Sequence, residues 1–166
     1  TYSTIHDARG GCRNIPIDQD VQNAGAIAAA GKKEIVLTGI NTGDFGRTTG
    51  EGCTELLQAL YGITGIERFR ISSIEPNLLT DEVIAFCAAS EKFQPHFHIP
   101  LQSGSDRVLG MMKRRYNRQM FADSISAVRR LIPDAFFGID VIVGFPGETD
   151  RDFADTYELL ERCKPA

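Results

Sequence analysis

Four short apolar runs alternate along the chain with longer segments in which apolar residues recur every three or four positions. The runs are rich in β-branched and aromatic residues, and each is followed by glycine or polar residues. This pattern is typical of strands in a sheet that is covered by helices. The sequence therefore predicts strands at residues 34–40, 68–74, 96–101 and 136–144.

The longer segments predict helices before, between and after these strands. Gly31 follows an alanine-rich stretch and is a typical helix C-terminal signal, and Thr80 precedes two acidic residues as an N-cap does. The predicted helices cover residues 17–30, 54–61 and 117–131, and two more begin after Thr80 and after Thr149. The predicted order of elements is α-β-α-β-α-β-α-β-α.

Strict alternation of helix and strand predicts parallel strands joined by right-handed crossovers. Two architectures fit this order, an open doubly wound sheet and an arc of a (β/α) barrel. Polar residues and glycines follow the carboxyl ends of all four predicted strands, which favours the barrel because its active site lies at that end. We predict an α/β fold, namely a partial TIM-like (β/α) barrel arc of about four parallel strands in sequential order, with outer helices. We expect residues 1–166 to form one domain.

Composition places the chain among globular proteins, since 42% of its 166 residues are hydrophobic and 24% are charged. Acidic residues outnumber basic residues by 22 to 18. This balance excludes a small domain that binds nucleic acid by overall charge alone. No run of 18 apolar residues is present, so we expect no membrane span and a cytoplasmic location.

The cysteine spacing offers no local metal site. The four cysteines are Cys12, Cys53, Cys87 and Cys163, and no two of them form a C-x-x-C pair. We interpret them as mostly buried thiols in a reducing compartment.

Two loops that follow predicted strands are candidates for ligand binding. Residues 144–148 read Gly-Phe-Pro-Gly-Glu, where glycine lets a ligand approach the backbone and proline restricts the turn. The alternative is an ordinary connection between strand and helix. Residues 102–106 read Gln-Ser-Gly-Ser-Asp and suit a ribose or a carboxylate. The alternative here is an N-cap cluster for a helix that begins near Asp106. The chain contains no P-loop and no G-x-G-x-x-G pattern.

Charged and imidazole side chains near the strand ends are further candidates. Glu75 follows a predicted strand, where a carboxylate can receive an amino group or hydroxyls, unless it is simply solvated. Residues 113–115 with Arg118 form a basic cluster, which indicates either a clamp for a carboxylate or phosphate or a solvated face. His96 and His98 share one face of a strand, and we interpret them as packed histidines because no third metal ligand is suitably spaced.

Several of these segments together resemble the radical S-adenosylmethionine (SAM) methylthiotransferases. The resemblance runs in order over nearly the whole chain and is carried by residues 35–41, 43–46, 70–76, 96–106, 112–116 and 140–149. The motifs Thr-Gly-Ile-Asn and Gly-Asp-Phe-Gly are most similar to those of the branch that acts on N6-threonylcarbamoyladenosine in tRNA. The isopentenyladenosine branch and the ribosomal-protein branch are the alternatives.

The resemblance implies a reaction and a cluster. Members of the family hold a 4Fe–4S cluster with three cysteines, and SAM chelates the fourth iron. The reduced cluster cleaves SAM to a 5′-deoxyadenosyl radical that abstracts hydrogen from the substrate carbon, and sulfur and methyl are then delivered. The family motif is C-x-x-x-C-x-x-C. Ser3 stands at the third cysteine, and a neutral hydroxyl is a weak donor to iron.

We therefore expect an excerpt of a longer enzyme that carries no cluster of its own and is inactive alone. The resemblance implies tRNA as a partner through other domains, and an electron donor for the cluster. The alternative from another class is a non-catalytic ligand-binding (β/α) module that has lost its cluster.

Residues 35–40 and 137–143 are expected to be unpaired sheet edges, which favours self-association. The alternative is that residues 1–15 fold back and shield one edge.

The resemblance also implies nine cofactor-binding residues, all at predicted strand ends or in the loops beyond them. It implies no catalytic side chain and no metal ligand on this chain. The nine are Gly39 and Asn41 near the methionine end, Glu75 for a polar group, Gln102 and Ser103 along the ribose, Arg114 facing the carboxylate, and Ile142, Gly144 and Pro146 against the adenine.

Overall fold

The computed structural model describes residues 14–39, 41–46 and 49–165. Its centre is a sheet of four parallel strands whose spatial order is the same as their order in the chain. The predicted barrel arc of sequential parallel strands is confirmed, and the doubly wound order is not found. The strands are β1 (Glu34–Leu37), β2 (Arg68–Ile71), β3 (Phe93–His98) and β4 (Phe136–Gly138).

Six α-helices connect and flank the strands in the described residues. They are α1 (Ile17–Ala29), α2 (Cys53–Tyr61), α3 (Asp81–Ala89), α4 (Asp106–Met111), α5 (Arg118–Leu131) and α6 (Asp150–Cys163). The sequence signals for their ends are confirmed. Gly31 has a φ of 78°, which glycine adopts without strain, and the Thr80 hydroxyl accepts a hydrogen bond from the Val83 amide at 3.3 Å.

One face of the sheet is covered by the helices and forms the core. Phe69, Phe97 and Phe137 lie on this face of their strands and are almost fully buried. They pack against apolar residues of the helices, among them Leu57, Ile84, Phe121 and Val128. Burial of this kind of apolar surface is the main favourable contribution to folding.

The other face of the sheet is open and largely polar. On β1 and β2, Glu34 accepts a hydrogen bond from Arg68 at 2.9 Å and forms an ion pair with Arg70 at 2.9 Å. Beyond β3 and β4, His98 Nε2 lies 2.9 Å from Asp140 Oδ2. The prediction of packed, hydrogen-bonded histidines is confirmed for His98. His96 is packed, since it stacks on Phe136 at 4.9 Å, but its buried Nδ1 has no hydrogen-bond partner among the described residues.

The strand boundaries differ from the sequence-based prediction at the start of β3 and at the carboxyl end of every strand, where each strand ends three to six residues early. β3 begins at Phe93, three residues early, because Phe93 completes the core by stacking on Phe69 at 5.2 Å. Pro95 interrupts the regular pattern there, and the pairing register shifts beside it. β4 ends at Gly138, and beyond it only an isolated bridge between Gln102 and Val141 continues the pairing.

Both outer strands have a single neighbour in the described part of the chain, as the expectation of unpaired edges requires. The proposed shielding by residues 1–15 falls almost entirely on residues outside the described ranges, as does the prediction for Ser3. Among the described residues, no helix is long and apolar enough to cross a membrane.

Candidate cofactor-binding rim

The carboxyl ends of the four strands form one continuous edge, which we call the rim: residues 38–39, 41, 72–75, 99–103 and 139–144. Backbone hydrogen bonds extend the parallel pairing past the strands and hold these segments together. The Ile74 amide donates to His98 O at 3.0 Å, and the Ile99 amide donates to Gly138 O at 2.9 Å. The rim is therefore a rigid edge on which side chains from distant segments can meet.

Asn41 joins the segments that follow β1 and β2. Its side-chain oxygen accepts the Glu75 amide at 3.2 Å, and its amide nitrogen lies 3.5 Å from Asp44 Oδ2. A second link runs from the Thr42 amide to Ser73 O at 2.9 Å. These bonds place the Glu75 carboxyl at the rim beside the Asp44 carboxylate.

Glu75 and Arg114 form an ion pair at the rim. Arg114 Nη1 donates to Glu75 Oε1 at 2.5 Å, and both side chains are less than one-fifth exposed. Burial, and secondarily the Asp44 carboxylate, raise the pKa of Glu75, whereas the charge of Arg115 opposes that rise. The pair thus presents one negative and one positive group side by side, which is complementary to the amino and carboxylate groups of an amino acid.

Gln102 and Ser103 lie between β3 and α4 in a buried turn. Gln102 has a φ of 65°, donates its amide to Asp140 O and accepts the Ile142 amide, both at 2.9 Å. The Ser103 hydroxyl is fully buried and lies 3.3 Å from the Thr156 hydroxyl. The side chain of Ser103 therefore faces α6, and no part of the residue is exposed to a ligand.

The loop at residues 144–148 begins at Gly144, whose backbone is exposed. Gly144 has a φ of 77°, and a Cβ built there meets nothing within 4 Å. The Glu148 carboxylate accepts the Gly144 and Phe145 amides at 2.5 and 3.1 Å. Ile142 is half-buried beside this loop, and Pro146 is exposed. An apolar side chain next to accessible backbone suits a flat heteroaromatic ring.

Asp152 anchors this loop to the neighbouring turn, a role that the sequence did not reveal. Its carboxylate accepts the Ser105 hydroxyl at 2.6 Å and the Thr149 amide at 2.9 Å, and it pairs with the Arg107 guanidinium. Arg107 also donates to Gly147 O at 2.6 Å. The hydrogen bond from Arg107, followed by those from Ser105 and Thr149, holds the pKa of Asp152 well below its usual range.

The N-cap interpretation of residues 102–106 is confirmed for Ser105. Helix α4 begins at Asp106, and the Ser105 hydroxyl accepts the Val108 amide at 3.4 Å. Gly39 and Asn41 follow β1 at the rim, and Gly39 is exposed. All nine predicted residues thus lie at the rim or in the loops that surround it.

The donor set of the rim fits a zwitterionic amino acid joined to a nucleoside, which is the chemistry of SAM. The described residues do not fit an iron–sulfur cluster, because no three His, Cys, Asp or Glu side chains among them are grouped to hold a metal ion. Cys53, Cys87 and Cys163 are unpaired thiols on helices. Burial raises the pKa of all three thiols, that of Cys87 to about 12, and so disfavours the thiolate that iron requires.

A surface cleft lies between α3 and α5 and begins at Pro76, next to the rim. Its lining includes Asn77, Asp81 and Asp123. None of the nine predicted residues belongs to it. The rim is the better candidate because its charged pair, bare backbone and apolar side chain converge on one edge.

Comparison with known proteins agrees with the resemblance. The chain is 42% identical over 99% of its length to the threonylcarbamoyladenosine tRNA methylthiotransferase of Bacillus subtilis, of which it covers 37%. It is 36% identical over 99% of its length to the tRNA-2-methylthio-N(6)-dimethylallyladenosine synthase of Acetivibrio thermocellus, of which it covers 35%. The chain therefore spans little more than a third of these relatives. Residues 1–160 match the family model of the radical SAM superfamily, to which this chain belongs.

Proposed function

We propose that the chain is the cofactor-binding arc of a radical SAM enzyme that inserts a methylthio group into N6-threonylcarbamoyladenosine of tRNA. One observation carries the proposal: Asn41, Glu75 and Arg114, which are distant in sequence, form a connected set of contacts at the carboxyl edge of a parallel sheet. In this account residues 1–166 are one fragment of the barrel domain, and the fragment is inactive alone.

Each end of the cofactor has a matching part of the rim in this proposal. Glu75 receives the amino group of SAM and Arg114 faces its carboxylate, while Gly39 and Asn41 border the methionine end. The ribose lies along Gln102, and Ser103 holds this turn through its contact with Thr156.

The adenine of SAM packs on Ile142, beside Gly144 and Pro146. When bound, SAM would supply the 5′-deoxyadenosyl group through an iron–sulfur cluster that this chain would not hold by itself. The residues of the rim bind and orient SAM and form no covalent bond with it.

The substrate branch is the finer part of the proposal. Relatives with the threonylcarbamoyladenosine name are 38–42% identical to the chain, and those with the dimethylallyladenosine name are 36–39% identical. The second group makes dimethylallyladenosine in tRNA the second candidate substrate. An electron donor for the cluster, and a cytoplasmic location where the thiols stay reduced, belong to the same proposal.

The test uses the full-length protein that contains this chain, with Ser3→Cys because the resemblance places Ser3 at the third cluster cysteine, reconstituted with iron and sulfide without oxygen. It is incubated with SAM, a reductant and tRNA that carries either N6-threonylcarbamoyladenosine or N6-dimethylallyladenosine. The digested nucleosides are then analysed by mass spectrometry. We expect the methylthio product from the first tRNA.

Glu75→Gln is expected to lower the yield at subsaturating SAM, because the amino group loses its carboxylate partner. Glu67→Gln is the matched control, since Glu67 is an exposed carboxylate just before β2, whereas Glu75 follows that strand. Product from the dimethylallyl tRNA alone would assign the second candidate. A protein that yields no methylthio nucleoside from either tRNA would overturn the proposal.

A further inference from the structure

The turn between α4 and α5 runs along the rim and is anchored on both sides of Arg115. Arg114 contacts Glu75, and the Tyr116 hydroxyl donates to Pro100 O at 3.0 Å. Asn117 then caps α5 by accepting the Met120 amide at 2.8 Å. Arg115 therefore has a fixed backbone position at the mouth of the site, and its side chain is exposed.

The other arginines near the rim are engaged with carboxylates. Arg114 pairs with Glu75, Arg107 pairs with Asp152, and Arg118 lies 3.7 Å from Asp155. Arg115 forms no ion pair within the described residues. Its two chain neighbours are anchored at Glu75 and at Pro100 O, so Arg115 lies next to the Glu75–Arg114 pair, and its guanidinium is available to a ligand. Its charge opposes the rise in the pKa of Glu75.

Lys113 is the other exposed cation of this turn that forms no ion pair among the residues described. It has a φ of 57° and lies at the end of α4. An ammonium group is a compact charge, whereas a guanidinium offers a planar pair of donors that matches a carboxylate. Of the two cations, Arg115 is the better partner for a carboxylate.

We propose that Arg115 binds the carboxylate of the threonylcarbamoyl group and thereby selects the substrate. The inference rests on the proposed function, because it concerns the adenosine derivative that enters the same site. A threonylcarbamoyl group carries a carboxylate and a hydroxyl, whereas a dimethylallyl group is apolar. An exposed guanidinium favours the first group by charge-assisted hydrogen bonds and offers nothing to the second.

The experiment measures binding of anticodon stem-loop RNAs to the full-length protein by fluorescence anisotropy. One RNA carries N6-threonylcarbamoyladenosine, and the other carries plain adenosine at the same position. Arg115→Gln is expected to weaken binding of the first RNA roughly ten- to hundredfold and binding of the second less than twofold. Arg115→Lys is expected to weaken binding of the first RNA less than Arg115→Gln does, because it keeps the positive charge but loses the planar pair of N–H donors.

Arg130→Gln is the matched control. Arg130 is an exposed arginine of α5 near the opposite end of the strands, and its loss is expected to leave both affinities unchanged. The plain RNA also reports on folding of each variant, because a misfolded protein would lose both RNAs.

Three results would overturn the inference. If Arg115→Gln weakens the binding of both RNAs equally, Arg115 contacts a phosphate of the RNA backbone and not the modified base. If it weakens neither, Arg115 contacts no part of the RNA. If the wild-type protein binds both RNAs equally, no residue selects the carboxylate, while methylthio product in the assay above would still uphold the proposed function.

Discussion

Replacement of Gly104 by alanine tests whether the rim depends on its contact with α6. Gly104 is buried in the turn after β3, and its amide donates to the Thr156 hydroxyl at 2.8 Å. A Cβ at this position would lie 2.5 Å from Thr156 Cα and 2.9 Å from Asp155 O. Both atoms belong to the backbone of α6, so no side chain can rotate away.

The loss of stability follows from the distance by which the backbone must move to restore an ordinary contact with the new Cβ. Ordinary Cβ contacts begin at 3.4 Å, so α6 or the turn must shift by about 0.9 Å. Overpacking of this kind costs about 1–3 kcal/mol, and a strained or broken hydrogen bond to Thr156 adds about 1 kcal/mol. We expect Gly104→Ala to lower the free energy of unfolding by about 2–4 kcal/mol, or to abolish the cooperative transition.

Urea denaturation followed by circular dichroism measures this change. Gly110→Ala is the matched control, because Gly110 lies within α4 and a Cβ there meets nothing within 4 Å. Alanine is the better helix former, so the control is expected to gain about 0.5–1 kcal/mol. A Gly104→Ala variant within about 0.5 kcal/mol of the wild type would refute the close packing of the turn on α6.

Three further predictions concern the loop anchor, the cluster and the sheet edges. Because the folded-state pKa of Asp152 is depressed, its stabilising effect is complete above its unfolded pKa of about 3.9 and is lost as the pH falls below it. Asp152→Asn should therefore lower the thermal midpoint at pH 7 and flatten its decline in acid, and an unchanged acid profile would contradict this. The chain by itself should take up no stoichiometric iron–sulfur cluster on anaerobic reconstitution, as absorbance would show, because the resemblance places Ser3 at the third cysteine and the described thiols are buried or partly buried. The unpaired edges of β1 and β4 should cause self-association that rises with concentration in analytical ultracentrifugation, and a monomer at every concentration would argue against it.

Features that depend on neighbouring residues could be predicted from the sequence. The alternation of buried and exposed residues in β2 requires only that one face of the strand be covered. The caps at Thr80 and Thr149 involve partners three residues away, so the local pattern contains both members of each hydrogen bond. The order of the strands followed from the alternation of elements and the handedness of crossovers.

Features that depend on distant residues could not be predicted in the same way. The pattern around Thr149 indicated a helix start, but nothing in it revealed that Asp152 also binds Ser105, 47 positions away. Arg114 and Glu75 were each identified as candidates, yet their pairing across 39 positions required the fold. The burial of the Ser103 hydroxyl against Thr156 is of the same kind, since it depends on where α6 packs.

The most direct test of the account is a crystal structure of the full-length protein with bound S-adenosylmethionine. We predict that the amino and carboxylate groups of the cofactor lie within hydrogen-bond distance of Glu75 and Arg114, with the adenine against Ile142 and Gly144. A cofactor bound in the cleft between α3 and α5, beside Asn77 and with the rim uninvolved, would contradict the central claim.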